Sequence, residues 1–126
     1  MQAIENEETS EHPPVRERAQ RRAVQSVPLS ERTAGARVNE IVRQHIAGGS
    51  QRVVITHANR DLPRELVEHA FDALRYSGLV CAPDSEGDIA LLGMTETHDA
   101  LLAAIPWGTN AALDELLRAA RELHVS

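Results

Sequence analysis

Chemistry in this chain has few places to start. The richest is the run Thr56-His57-Ala58-Asn59-Arg60-Asp61, which sets a hydroxyl, an imidazole, an amide and a guanidinium within five residues. Those groups suit an anion, a phosphate or a carboxylate, and more so where a helix begins just beyond them. A second place is Thr95-Glu96-Thr97-His98, where Glu96 and His98 could form an acid/base pair. A third is Pro106-Trp107-Gly108-Thr109-Asn110 with Glu115 one turn on. There a Gly-Thr pair lets backbone approach a ligand, and Glu115 could hold a ribose hydroxyl. Thr56, His57, Asn59, Arg60, Glu96, Thr109 and Glu115 are therefore the candidate ligand-binding residues.

Other chemistries are excluded by spacing. The six His residues, at 12, 45, 57, 69, 98 and 124, form no close pair, and Cys81 stands alone. No metal site and no disulfide follows. Cys81 lies in an apolar run and reads as a small buried hydrophobe. Gly48-Gly49-Ser50 precedes a strand pattern, whereas a phosphate loop must open a helix. No cofactor is implied.

The elements that must position these residues follow from periodicity. Val38, Ile41, Val42 and His45 or Ile46 share one face of a helix over 33–47, which Gly48 and Gly49 end. Arg52 to His57 holds the β-branched run Val53-Val54-Ile55, the pattern of a strand covered on both faces. A helix over 62–77 carries the stripe Leu66, Val67, Ala70, Phe71 and Leu74, with Asp61 as its cap and Pro63 in its first turn. Leu79 to Ala82 and Asp88 to Gly93 read as strands, joined through the polar turn Pro83 to Gly87, and helices follow over 97–105 and 110–123. The expected fold is α/β (or α+β): a small three-stranded sheet flanked by about four helices, in the order α-β-α-β-β-α-α. The last two strands are either parallel or a hairpin.

Charge divides the chain. Residues 1–12 hold four Glu and no Arg, residues 13–52 eight Arg against three Glu, and residues 53–126 five Arg against twelve acids. All 13 basic residues are Arg, and the net charge is −6. A strongly basic nucleic-acid binder is excluded. Residues 1–31 read as a flexible charged arm, since their apolar residues are too scattered to repay ordering. Residues 32–126 read as one compact domain. Arg16, Arg18, Arg21 and Arg22 on the arm are candidate contacts for a protein partner or nucleic acid. With no membrane-spanning run, and no apolar core in Met1 to Ser10, a cytoplasmic protein is expected.

Three fragments resemble known families. Val54 to Asp61, a helix, then Gly78-Leu79-Val80, with Gly108-Thr109 and Glu115-Leu116 later, is similar to TIR-type and deoxyribosyltransferase-like domains. That resemblance implies a nucleotide-binding or N-glycosidic enzyme, with Glu115 matching the acid at the glycosidic bond. Ala73 to Val80, followed by a turn and a strand, resembles the recognition helix and wing of a winged-helix regulator, which implies DNA binding or an antitoxin-like role. Arg52 to Thr56 with Leu62 to Leu66 resembles a ribbon-helix-helix opening. The residues themselves contain no convergent catalytic set. The leading expectation is thus a non-catalytic regulatory or interaction module that binds a protein partner or a second copy of itself.

Overall fold

The computed structural model describes residues 2–3, 22–58, 61–85 and 87–123. It has a mixed α/β architecture, with strands β1 (Gln2–Ala3), β2 (Arg22–Val27), β3 (Arg52–His57), β4 (Leu79–Pro83) and β5 (Ile89–Met94). The helices are α1 (Ala34–Ala47), α2 (Arg64–Ala73), α3 (Asp99–Ala103) and α4 (Ala112–Glu122). The sheet order is β1-β4-β5-β3-β2. Four strands have five or six residues, and β1 adds a two-residue edge. Three strands were expected. The difference is β1 and β2, which both fall in the stretch read as an arm.

β2 belongs to the sheet because its ladder is complete: Arg22 to Val27 pair in parallel with Arg52 to His57. Val27 and Leu29 are fully buried in the core. Part of the stretch read as an arm, residues 22–29, thus contributes a strand and core side chains to the sheet. Arg22, expected on a solvated arm, opens this strand. Its guanidinium pairs with Glu68 of α2 and lies 3.8 Å above the Phe71 ring. Arg16, Arg18 and Arg21 lie outside the described residues.

The run Val53-Val54-Ile55 does serve two faces. Val53 and Ile55 pack with Val38 and Val42 of α1 and with Leu101, Leu102 and Leu116 of α3 and α4. Val54 packs on the other face with Leu66, Ala70 and Phe71 of α2. Successive residues of a strand point to opposite faces, so three apolar residues in a row feed both layers.

β4 and β5 form a hairpin, antiparallel from Leu79↔Met94 to Pro83↔Ile89. The turn is drawn tight by Asp84 and Asp88. The Asp84 amide donates to the Asp88 carbonyl (2.9 Å), and Asp84 Oδ1 accepts the Asp88 amide (3.0 Å). β5 also runs antiparallel to β3, so it separates the parallel strands β3 and β4. The connections β2-α1-β3 and β3-α2-β4 step the same way across the sheet, yet their helices cover opposite faces. The two crossovers therefore have opposite hands, a rarity among parallel connections.

Helix ends differ from expectation in detail. α2 starts behind Pro63, not Asp61: the Leu66 and Val67 amides donate to the Pro63 carbonyl, and Asp61 stays exposed without capping the helix. α3 starts behind His98, with no cap from Thr95 or Thr97. At the end of α1, Gly49 takes the left-handed turn at φ 106°, while Gly48 remains at φ −83°.

Candidate functional site

The parallel strands β2, β3 and β4 end together, at Val27, His57 and Pro83, and antiparallel β5 begins at the same edge with Ile89. Residues 28–33, Ala58 and residues 84–85 follow these strands at this carboxyl edge, and residues 87–88 lead into β5. The turn 106–111 joins them: a Cβ on Gly108 would stand 2.6 Å from the Ser30 carbonyl oxygen, and one on Gly87 would stand 2.8 Å from that of Asn110. Both glycines have positive φ, 80° and 87°, which only a residue without Cβ adopts cheaply. The Leu113 amide of α4 donates to the Gly87 carbonyl (3.3 Å). Residues of the segments after β2 and β4 thus meet the turn 106–111 at this edge, where Ala58 follows β3.

Polar side chains line this edge. Ser26 Oγ and Thr56 Oγ1 share a hydrogen bond of 3.1 Å across the β2–β3 ladder. Thr56 and His57 are both buried. Asp88 is also buried, and its Oδ1 accepts the Ile89 amide (2.8 Å). The Thr109 hydroxyl donates to the Pro106 carbonyl (2.7 Å) and accepts the Ala111 amide (3.3 Å), so it shapes the turn that opens α4. α1, α2 and α4 all direct their N-termini here, and none has a side-chain cap hydrogen bond. Uncapped helix N-termini carry partial positive charge and attract anions. Asn59 and Arg60, expected here from sequence, lie outside the described residues.

Glu115 sits one turn into α4, bound to its own helix. Arg118 Nε and Nη2 donate to Glu115 Oε2 at 3.1 and 2.6 Å. That hydrogen bond, with the charge of the same guanidinium, holds the Glu115 carboxyl below its usual range.

Glu96 lies elsewhere. It follows the carboxyl end of β5, and because β5 is antiparallel to β3 that end falls at the opposite edge of the sheet. There Glu96, Thr95 and Thr97 line a cavity of about 310 Å³ with Arg43, Ile46 and Ala47. His98 is near it in sequence: its amide donates to Asn39 Oδ1 (3.0 Å), and its Nε2 is buried without a hydrogen-bond partner. A single pocket holding both Thr56 and Glu96 is ruled out by this topology.

Ser26 and Ser30 at this edge are not among the residues singled out from the sequence. Both lie in the stretch read as an arm, and only the short uncharged run Ala23-Val24-Gln25-Ser26-Val27, bounded by Pro28, carries any signal of a strand. Cys81 is fully buried, and burial pushes its thiol pKa up to about 12, so it stays protonated and inert as a nucleophile. Among the described residues no group of three or more His, Cys, Asp or Glu comes together to hold a metal ion. Among them, too, no helix is long and apolar enough to cross a membrane.

None of the curated proteins matches this chain. Among solved structures it resembles a candidate nucleotide-diphospho-sugar transferase of Desulfovibrio desulfuricans G20, with 22% identity and a TM-score of 0.65. The match covers 73% of this chain and 41% of that one, so the chain spans about two fifths of the length of its structural relative. That likeness and the family match overturn the expected non-catalytic interaction module. The winged-helix and deoxyribosyltransferase-like alternatives go with it. The segment read as recognition helix and wing is instead the end of α2 and strand β4, which pack inside a five-stranded sheet. Residues 5–109 match the family described as an uncharacterized protein conserved in bacteria (DUF2064), and the chain belongs to that family.

Proposed function

We propose that this domain is of glycosyltransferase type and binds a nucleotide-diphospho-sugar at the carboxyl edge of β2 and β3. The observation that carries this reading is the meeting of the segments after β2 and β4 with the turn 106–111 at that edge, in a fold shared with a candidate nucleotide-diphospho-sugar transferase. Ligands of open α/β sheets sit beyond the carboxyl ends of the strands, where helix N-termini and backbone amides receive phosphate. The uncapped starts of α1 and α2 offer such amides. Ser26 and Thr56 offer hydroxyls that can turn from each other to a phosphate or ribose oxygen. In the transfer, an acceptor hydroxyl oxygen bonds to the anomeric carbon and releases its proton to water, and the bond from that carbon to the phosphate oxygen breaks with its electron pair on the departing nucleoside diphosphate. A cytoplasmic location accompanies this reading, because the lone thiol of Cys81 suits a reducing compartment.

Titration of the whole chain with UDP, GDP, CDP and dTDP, each with and without Mg²⁺ or Mn²⁺, tests it by calorimetry and by amide NMR. Saturable binding of one of them, with shifts at Ser26–Ser30, Thr56–Ala58 and Gly87, is the expected result. Absence of binding by all four, or shifts confined to the Glu96 edge, overturns it.

A further inference from the structure

The outer edge of β2 has no strand beside it among the described residues: β2 is the last strand of the sheet and pairs on one side alone, with β3. The Ala58 amide donates to the Val27 carbonyl (2.9 Å), which fixes the parity of the strand. Peptide groups alternate along a strand, so Ala23, Gln25 and Val27 turn theirs to β3, while Arg22, Val24 and Ser26 turn theirs outward.

Natural sheets guard such an edge with charges, prolines or bulges. From Ala23 to Val27 this strand holds no charge and no proline. Its one charged residue, Arg22, is folded inward onto Glu68 and Phe71. Val24 is 52% exposed, one of three large apolar side chains left in solvent among the described residues.

We propose that two copies of this chain join through β2, antiparallel across a two-fold axis, so that their sheets become one. The parity limits the register. Outward residues must meet outward residues, and the register centred on Val24 sets Val24 against the partner's Val24, with Ala23 opposite the partner's Gln25. The two exposed valines then stand on the same face, with Cα atoms about 5.5 Å apart. No like charges oppose each other, because residues 23–25 are uncharged and Arg22 falls opposite the partner's Ser26. A two-fold axis makes any strand edge complementary to itself, which is why a second copy fits best.

Sedimentation of the full chain across concentration, without nucleotide, tests this independently of the nucleotide reading. The expected mass is twice the 13.8 kDa of the chain. Val24→Pro removes an outward amide and leaves the β3 ladder whole; Val24→Lys installs a guarding charge. Each should weaken self-association at least about tenfold while circular dichroism stays unchanged. Hydrogen exchange at Val24 and Ser26 should slow as concentration rises. A wild-type monomer at every concentration overturns the proposal, including the case where residues 4–21 of the same chain protect the edge. So does a dimer that Val24→Lys leaves intact. If Val24→Pro fails to fold, Val24→Lys decides alone.

Discussion

The Arg22 guanidinium lies 3.8 Å above the Phe71 ring and pairs with Glu68 one helical turn before that ring. The two charged side chains are 7% and 16% exposed, so this ion pair is inside the protein. It joins the edge strand β2 to α2 across β3, whose Arg52 donates to the Phe71 carbonyl (3.2 Å). Each partner answers a burial cost that the other would otherwise leave unmet.

Removing one partner should therefore hurt more than removing both. Glu68→Gln strands a buried guanidinium and should cost about 3 kcal/mol. The double replacement Arg22→Met with Glu68→Leu should cost clearly less, since no charge remains to be desolvated. Urea unfolding of the three proteins checks the order. A Glu68→Gln variant as stable as wild type would show that the pair contributes nothing.

The contact of Gly108 with Ser30 gives a second test. Gly108→Ala meets both a positive φ of 80° and a carbonyl oxygen 2.6 Å away. Strain of this kind costs about 1–3 kcal/mol before the clash is counted. Gly48→Ala is the control, because Gly48 has negative φ and its Cβ would lie 3.5 Å from the nearest atoms. It should fall within about 0.5 kcal/mol of wild type, or stabilise slightly. Thermal melts of both variants separate the two cases.

Much of this fold can be read in the residues, for physical reasons. The Val38/Val42 and Leu66/Ala70/Phe71 stripes fix two helices, and Val53-Val54-Ile55 fixes a strand with two covered faces. β2 is hidden because an edge strand needs little apolar surface, and Arg22 draws the eye as a solvated charge until Glu68 is found beside it. Such a pairing, 46 residues apart, leaves no local trace. The proposed site is half legible in its placement along the strands. Thr56 and His57 are predictable from the strand that ends there. The separation of Glu96 from them depends on the hairpin at Asp84 to Asp88, and the sequence permits either course for that chain segment.

Cys81 supplies a chemical test of the core. With its thiol pKa raised by burial to about 12, almost no thiolate exists at pH 8. Alkylation of the native protein by iodoacetamide should be at least about tenfold slower than in urea, where the ordinary thiol pKa returns. Fast labelling of the folded chain would mean that β4 opens readily.

Glu115 sets a pH dependence. Its carboxyl titrates lower in the folded chain than when unfolded, because Arg118 bonds and attracts the charged form. A depressed acid contributes stability above its unfolded pKa and loses it as pH falls through the folded one. Stability should thus decline with acid more steeply in wild type than in Glu115→Gln. The difference should be small and should shrink in high salt, since the pair is solvent-screened. Denaturant midpoints from pH 7 to pH 3 measure it.

The last test separates the two edges of the sheet. Thr56→Val keeps the shape of the β3 terminus and removes the hydroxyl that meets Ser26. If a nucleotide diphosphate is held there, losing one hydrogen bond should raise its Kd about tenfold. Glu96→Gln changes a charge at the opposite edge, beyond the end of β5, and should leave the same Kd unaltered. Equal losses in both variants would point to a general change in the fold. A loss in Glu96→Gln alone would move binding to the cavity beside Arg43. Because β5 runs against β3, no single ligand of nucleotide size resting at the end of one strand also rests at the end of the other, so the pair of variants discriminates without knowledge of the sugar.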